Sequence, residues 1–222
     1  TRARDVTPLG NMQNALRAMH LPPHASVSPC YMPRERAPMP TNLTIGEFKA
    51  FRKNRSNKNR QLAADFAVDT VRKAQQRGHV IFGDGSTLGE ANLGPTGAGV
   101  VVQYAGGGME RHSFAVSRQS NSYIGECYAL REAVATMAAT NTKLHTRHVT
   151  IIVDCQAAVQ AAAKSSGILA DIHTLIRNTP THIHLAWIPS HVHITGNDMA
   201  DDDAKQGAQL ARGLLTDTGL DT

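Results

Sequence analysis

Two short runs of apolar, largely β-branched residues each run directly into an aspartate, and nothing else constrains this chain as strongly. Val80-Ile81-Phe82-Gly83 leads into Asp84, and Val149-Thr150-Ile151-Ile152-Val153 leads into Asp154. Their length and composition predict strands, and the segments around them predict the rest of the layer. Residues 97–104 and 108–117 alternate in character on either side of Ala105-Gly106-Gly107, which predicts a hairpin. Residues 123–140, 156–164, 168–177 and 198–212 read as helices, and 182–188 as a last strand. The order β-β-β-α-β-α-α-β-α predicts an α/β fold with a mixed five-stranded sheet, an antiparallel hairpin edge and helices on both faces.

Charge divides the chain. Residues 1–80 hold 14 Lys/Arg against 5 Asp/Glu, a net of +9, whereas residues 81–222 hold 9 against 13, a net of −4. The overall +5 therefore describes a basic arm joined to an acidic domain. With 222 residues, 41% of them hydrophobic and 18% charged, the composition excludes collagen, a coiled coil and a disulfide miniprotein. No apolar run approaches the ~18 residues of a membrane span, and the first residues lack a signal-peptide core. An intracellular protein without a membrane partner is the expectation, and the opening Thr1 suggests a piece of a longer polyprotein. Cys30, Cys127 and Cys155 form no C-x-x-C spacing, which argues for reduced thiols and against cysteine-held zinc. His182 and His184 alternate with Ile183, Leu185 and Trp187, which places them on the solvent face of a half-buried strand.

Residues 1–45 are rich in proline and read as linker, apart from a short helix at 11–20. A basic, partly helical lead-in follows over 46–78, its helical pattern opening near Thr44 and carrying Lys49, Arg52, Lys53, Arg55, Lys58 and Arg60. The folded domain then spans 79–213, with a flexible tail at 214–222.

Four carboxylates stand apart from the solvated surface charges. Asp84 and Asp154 follow strands, and the carboxyl ends of parallel strands are where open α/β sheets form ligand sites. Glu126 falls in phase with Ala129, Leu130, Ala133 and Met137, on the buried stripe of its helix. A charge there must be paired, metal-bound or at the rim of a site. Asp201 repeats the pattern with Ala204, Ala208 and Ala211. Asp202 and Asp203 fall outside that stripe and read as favourable charges near a helix start. Asn197 reads as the N-cap of the last helix, leaving Asp198 as a dipole partner or secondary site residue. Such an all-oxygen set suits Mg²⁺, with Mn²⁺ as substitute. Two such ions about 4 Å apart serve in-line phosphoryl displacement, so phosphodiester hydrolysis is the expected chemistry.

Asp84-Gly85-Ser86, Glu126 in Gly125-Glu126-Cys127-Tyr128-Ala129-Leu130, Asp154 in Val153-Asp154-Cys155-Gln156-Ala157-Ala158, and Trp187-Ile188-Pro189-Ser190-His191 before Gly196-Asn197-Asp198-Met199-Ala200-Asp201 occur in order. Together they resemble type 1 ribonuclease H, over residues 80–210, and most of all the domain carried in the polyproteins of non-LTR retrotransposons. The resemblance implies a ribonuclease H-like sheet (β-β-β-α-β-α-β-α) and an endonuclease for the RNA strand of RNA–DNA hybrids, linked to a reverse transcriptase. It implies that Asp84, Glu126, Asp154 and Asp201 hold two metal ions. His191 becomes the mobile histidine of proton transfer or product release, Gln156 a reader of RNA 2′-hydroxyls, and Ser86 and Ser122 contacts to the backbone. Asn197 would hold the loop around His191.

Two departures from the family pattern matter. Gly83 stands where relatives often carry a side chain, which would loosen the strand end. The 36 residues between Asp154 and His191 leave no room for the basic, Trp-containing protrusion with which some relatives grip the hybrid. Lys49, Arg52, Lys53 and Arg55 are therefore expected to contact the substrate backbone. The competing possibility, a catalytically weak nucleic-acid-binding connector, is disfavoured because four converging like charges repel one another without metal.

Overall fold

Branched apolar runs build a sheet whose central strands are buried on both sides. The computed structural model describes residues 38–51, 57–89, 93–140 and 148–213, with side chains in the third segment described as far as 137. The expected helix at 11–20, the tail at 214–222, and Arg52, Lys53 and Arg55 lie outside the described residues.

The strands are β1 (Leu43–Ile45), β2 (His79–Thr87), β3 (Gly94–Gln103), β4 (Met109–Ser120), β5 (His148–Val153) and β6 (His182–Trp187). The helices are α1 (Asn57–Arg77), α2 (Ser122–Thr140), α3 (Gln156–Lys164), α4 (Ile172–Arg177) and α5 (Thr195–Gly213). The sheet order is β1-β6-β5-β2-β3-β4, so it has six strands and not the expected five. β1, β6, β5 and β2 run parallel, whereas β3 and β4 form the antiparallel hairpin edge.

The sixth strand lies where a linker and a helix start were expected. Three residues are too few to show a period, and what holds them is tertiary. The Asn42 amide donates to the carbonyls of Ile176, Thr179 and Thr181, at 2.8, 2.9 and 3.1 Å, which docks β1 beside β6. Helix α1 begins at Asn57 and lays Ala63, Ala67 and Ala74 toward the sheet. The lead-in is thus part of the same sheet-and-helix layer as the rest. The expected helix over 168–177 divides into a 3₁₀ turn at Gly167–Leu169 and α4, with Asp171 between them ion-paired to Arg131 at 2.8 Å.

Two cores flank the sheet. Ile81, Val149, Ile151, Val153, Ile183 and Leu185 meet α2, α3 and α4 through residues such as Leu130, Met137, Val159 and Ile176. On the other face Val80, Phe82, Ile152 and Ala186 meet α1 and α5 through Ala67, Ala74 and Ala200. Glycines let α5 approach β3: a Cβ at Gly99 would lie 2.0 Å from the Ala200 carbonyl oxygen. Gly83 is paired with Val100 on one side and Val153 on the other, so the strand end is not loosened as expected.

Candidate active site

The parallel register that aligns Gly83 with Val153 brings Asp84 beside Asp154 at the same edge of the sheet. The start of α2 comes close to β2 because both contact residues are glycines: a Cβ on Gly85 would lie 2.1 Å from the Glu126 backbone nitrogen. Glu126 thereby enters from above. Ligand oxygens of Asp84, Glu126 and Asp154 lie within 4.8 Å of one another. They line a cavity of about 360 Å³ whose described wall also includes Ser122, His191, Asn197, Asp198 and Asp201, and no Lys or Arg.

The electrostatics follow from that crowding. Asp84 is 6% exposed and Glu126 8%. Burial first, then the Asp154 charge, pushes the Asp84 carboxyl up to about 7. Burial, then the charges of Asp84 and Asp154, raises Glu126 well above the usual carboxylate range. Both carboxyls are thus held toward the neutral form by burial and by each other's charge. Asp154 is raised by burial, with its hydrogen bond from Asn197 and the nearby His191 pulling the other way. The Oε2 of Glu126 is buried without a protein partner. Three carboxylates that burial holds toward neutrality, with an unpartnered oxygen, fit a divalent cation bound through oxygen.

Asp201 lines the same cavity but lies outside the close group of three, and its carboxylate is 2.6 Å from the Lys205 ammonium one turn on. Asn197 is not the expected cap, since α5 already begins at Thr195 and the Asp198 amide donates to the Ile194 carbonyl. Instead Asn197 is buried and its amide reaches the Asp154 carboxylate at 3.4 Å. His191 is exposed on a left-handed residue, φ 57°, at the mouth of the cavity. Ser122 lines the cavity, whereas half-buried Ser86 and exposed Gln156 are not among its lining residues. Lys49 is exposed, its ammonium 5.8 Å from the centre of the Phe66 ring.

Sequence reasoning missed two supports. The Trp187 indole N–H donates to the Asp154 carbonyl at 2.9 Å, and Phe48, Phe51 and Phe66 surround that indole with centroids 6.1–6.3 Å away. The other is Asp203, read as a surface charge but 5% exposed and held by the forked Arg111 of β4 at 2.9 and 3.0 Å. Its signal was present: Asp203 stands in phase with Ala200, Ala204 and Gly207, all buried on the sheet side of α5.

The RNase H family model matches residues 76–209, more than half of the chain. The chain belongs to the RNase H family. The described part of the matched segment holds the whole β2–β6 sheet and all three clustered carboxylates. Among solved structures, an RNase H1 isolated from compost by a metagenomic approach is 21% identical. That comparison covers 61% of this chain and 99% of the other, with a TM-score of 0.51, and supports the RNase H fold. The RNase H1 of the archaeon Halobacterium salinarum is 18% identical over 60% of this chain and 98% of its own, TM-score 0.45. The compost enzyme in complex with an RNA/DNA hybrid is 18% identical over 58% and 97%, TM-score 0.47. No curated protein matches the sequence. Among the described residues of this RNase H domain no helix is long and apolar enough to cross a membrane.

Proposed function

We propose that this RNase H domain hydrolyses the RNA strand of RNA–DNA hybrids with two divalent ions, Mg²⁺ or in its place Mn²⁺. The observation that carries this reading is the convergence of Asp84, Glu126 and Asp154 within 4.8 Å, buried and with no Lys or Arg in the described wall of their cavity. Those three would hold the metal, and Asp201 would join them by exchanging Lys205 for an ion. When bound, divalent ions supply Lewis acidity for the attacking water and the leaving oxygen.

The remaining work falls to the chain's own groups. Asn197 and the Trp187 indole hold Asp154 from its carboxylate and its carbonyl. His191, exposed at the mouth, would carry a proton to or from the departing strand. Gln156, exposed in the first turn of α3, would read the RNA 2′-hydroxyl, with Ser86 and Ser122 toward the backbone. Lys49, with Arg52, Lys53 and Arg55, would contact phosphates beyond the cavity. The motif wording and the basic, Pro-rich arm support a retroelement origin, beside a reverse transcriptase in one polyprotein.

Asp154→Asn provides the test. Mg²⁺-dependent cleavage of a hybrid is expected from the native chain and not from the variant, with no cleavage when the RNA strand is replaced by DNA. Cleavage that survives the change refutes the site, and an inert native chain that still binds hybrid favours the connector reading.

A further inference from the structure

At the opposite end of the sheet, where β5 and β6 begin, lies a second cavity of about 430 Å³. Its wall includes Thr44, Arg77, His148, Thr150, His182 and His184, and no described carboxylate. The register pairs His148 with His182 and Thr150 with His184, so two-residue alternation sends these side chains out from one sheet face. The His148 and His182 rings stand 5.5 Å apart. The Thr44 hydroxyl bridges His182 Nε2 at 3.2 Å and His184 Nδ1 at 2.8 Å. Arg77, the last residue of α1, adds a permanent cation.

The decisive group is Thr150. It is 2% exposed, its Oγ1 has no hydrogen-bond partner, and it lines this cavity. A buried hydroxyl without a partner costs free energy, and because this oxygen is enclosed a ligand oxygen would recover it once the side chain turns about χ1 toward the cavity. Arg77 is the permanent charge of the described wall. Burial, then His148 and Arg77, holds His182 below its ordinary value, and burial, then Arg77 and His182, does the same to His184. A cation would be repelled by Arg77, whereas an anion would be drawn to it and could accept N–H hydrogen bonds from the imidazoles. Consistently, the three imidazoles do not form a close ligand group; among the described residues only Asp84, Glu126 and Asp154 do.

An adjoining groove of about 340 Å³ shares Arg77, Thr150 and His184 and extends to the Phe66 and Trp187 rings. It carries Glu47 and Asp69, the latter already paired with Arg72 and Lys73. A pocket lined by Arg77 and imidazole N–H donors and opening onto aromatic rings has the layout of a nucleotide site.

We propose that the His148–His182–His184–Arg77 pocket binds a phosphate group, and that the adjoining groove takes the nucleoside that carries it. Along β5 the pocket's His148 stands six residues from Asp154 and its Thr150 four, about 20 and about 13 Å at ~3.3 Å per residue. A phosphate held there cannot touch the catalytic carboxylates, although the groove comes nearest to them at Trp187, whose indole holds the Asp154 carbonyl, and the phosphate pocket does not rest on the nuclease reading.

The experiment titrates the full chain, in EDTA, with inorganic phosphate and with adenosine 5′-monophosphate, read by calorimetry and by the imidazole NMR signals. Saturable binding of both is expected, with the nucleotide several-fold tighter, and shifts at His148, His182 and His184. Arg77→Gln and the near-isosteric Thr150→Val should each weaken phosphate about tenfold or more, while Asp84→Asn should leave it unchanged. Hybrid cleavage should be equal in native chain and Arg77→Gln. Absence of saturable binding, indifference to both pocket variants, or loss on Asp84→Asn would overturn the site. Equal affinity for phosphate and nucleotide would overturn the nucleoside groove.

Discussion

Asp84→Asn should make the metal-free domain more stable above neutral pH while weakening its response to Mg²⁺. The Asp84 carboxyl is 6% exposed, and burial together with the Asp154 charge lifts it from 3.8 to about 7. A folded-state value above the unfolded one means that the contribution to stability is fully present below pH 3.8 and is lost as pH rises through about 7. At 1.36 kcal/mol per pH unit, that interval sets a ceiling of about 4 kcal/mol at pH 8. Because Asp84, Glu126 and Asp154 titrate together, the penalty is shared among them. Asparagine keeps the shape and the acceptor for the Gly85 amide, which now donates to Asp84 Oδ1 at 2.7 Å, and removes the charge. Thermal midpoints in EDTA should therefore be nearly equal for the two proteins at pH 4. They should separate by several degrees at pH 8, given about 2–4 °C per kcal/mol for a domain of this size. Added Mg²⁺, binding only the folded state, should raise the native midpoint more than that of the variant. Parallel midpoint curves from pH 4 to 8, or an equal Mg²⁺ response, would refute the reasoning.

Other perturbations follow from the same geometry. Arg111→Ala leaves Asp203 buried without its cation; since Arg111 is itself 43% exposed, the loss should be about 2 kcal/mol in urea unfolding, below the range for fully buried pairs. Arg111→Lys should recover less than half of it, lacking the fork. Trp187→Phe keeps the ring packing but removes the donor to the Asp154 carbonyl, worth about 1 kcal/mol. Steady-state kinetics should show kcat for the hybrid down roughly fivefold with KM unchanged. Gly85→Ala puts a methyl 2.1 Å from the Glu126 nitrogen, so α2 must shift; activity should fall below detection and stability by more than about 2 kcal/mol.

The boundaries of the lead-in show where reading along the chain stops working. Lys49 and its basic neighbours invite an electrostatic reading, and residues 44–76 carry a helix-like pattern. In the structure Thr44 and Ile45 are sheet, Phe48 and Phe51 pack on Trp187, and Ala67 and Ala74 cover the sheet. Cutting the chain at Gln76 would thus remove a strand and a helix along with the charges. Neutralising Lys49 is the cleaner way to ask about substrate. The hairpin, α2, α3 and the paired strands were legible because their signals are local: branched apolar runs, turn glycines and helical stripes. β1 was not legible, because Asn42 finds its acceptors more than 130 residues away.

What the amino-acid order alone determined is the alternation of strands and helices and the position of Asp84, Asp154 and Glu126 at their ends, since these follow from periods of two and 3.6 residues. Which carboxylates converge was decided only by the tertiary structure. Parallel register and two facing glycines bring three together, while Asp201 turns to Lys205 and Asp203 is drawn inward by Arg111. The same register gathers His148, Thr150, His182 and His184 at the other end of the sheet. Charge and burial depend on neighbours in space, and strand pairing across distant segments is what supplies those neighbours.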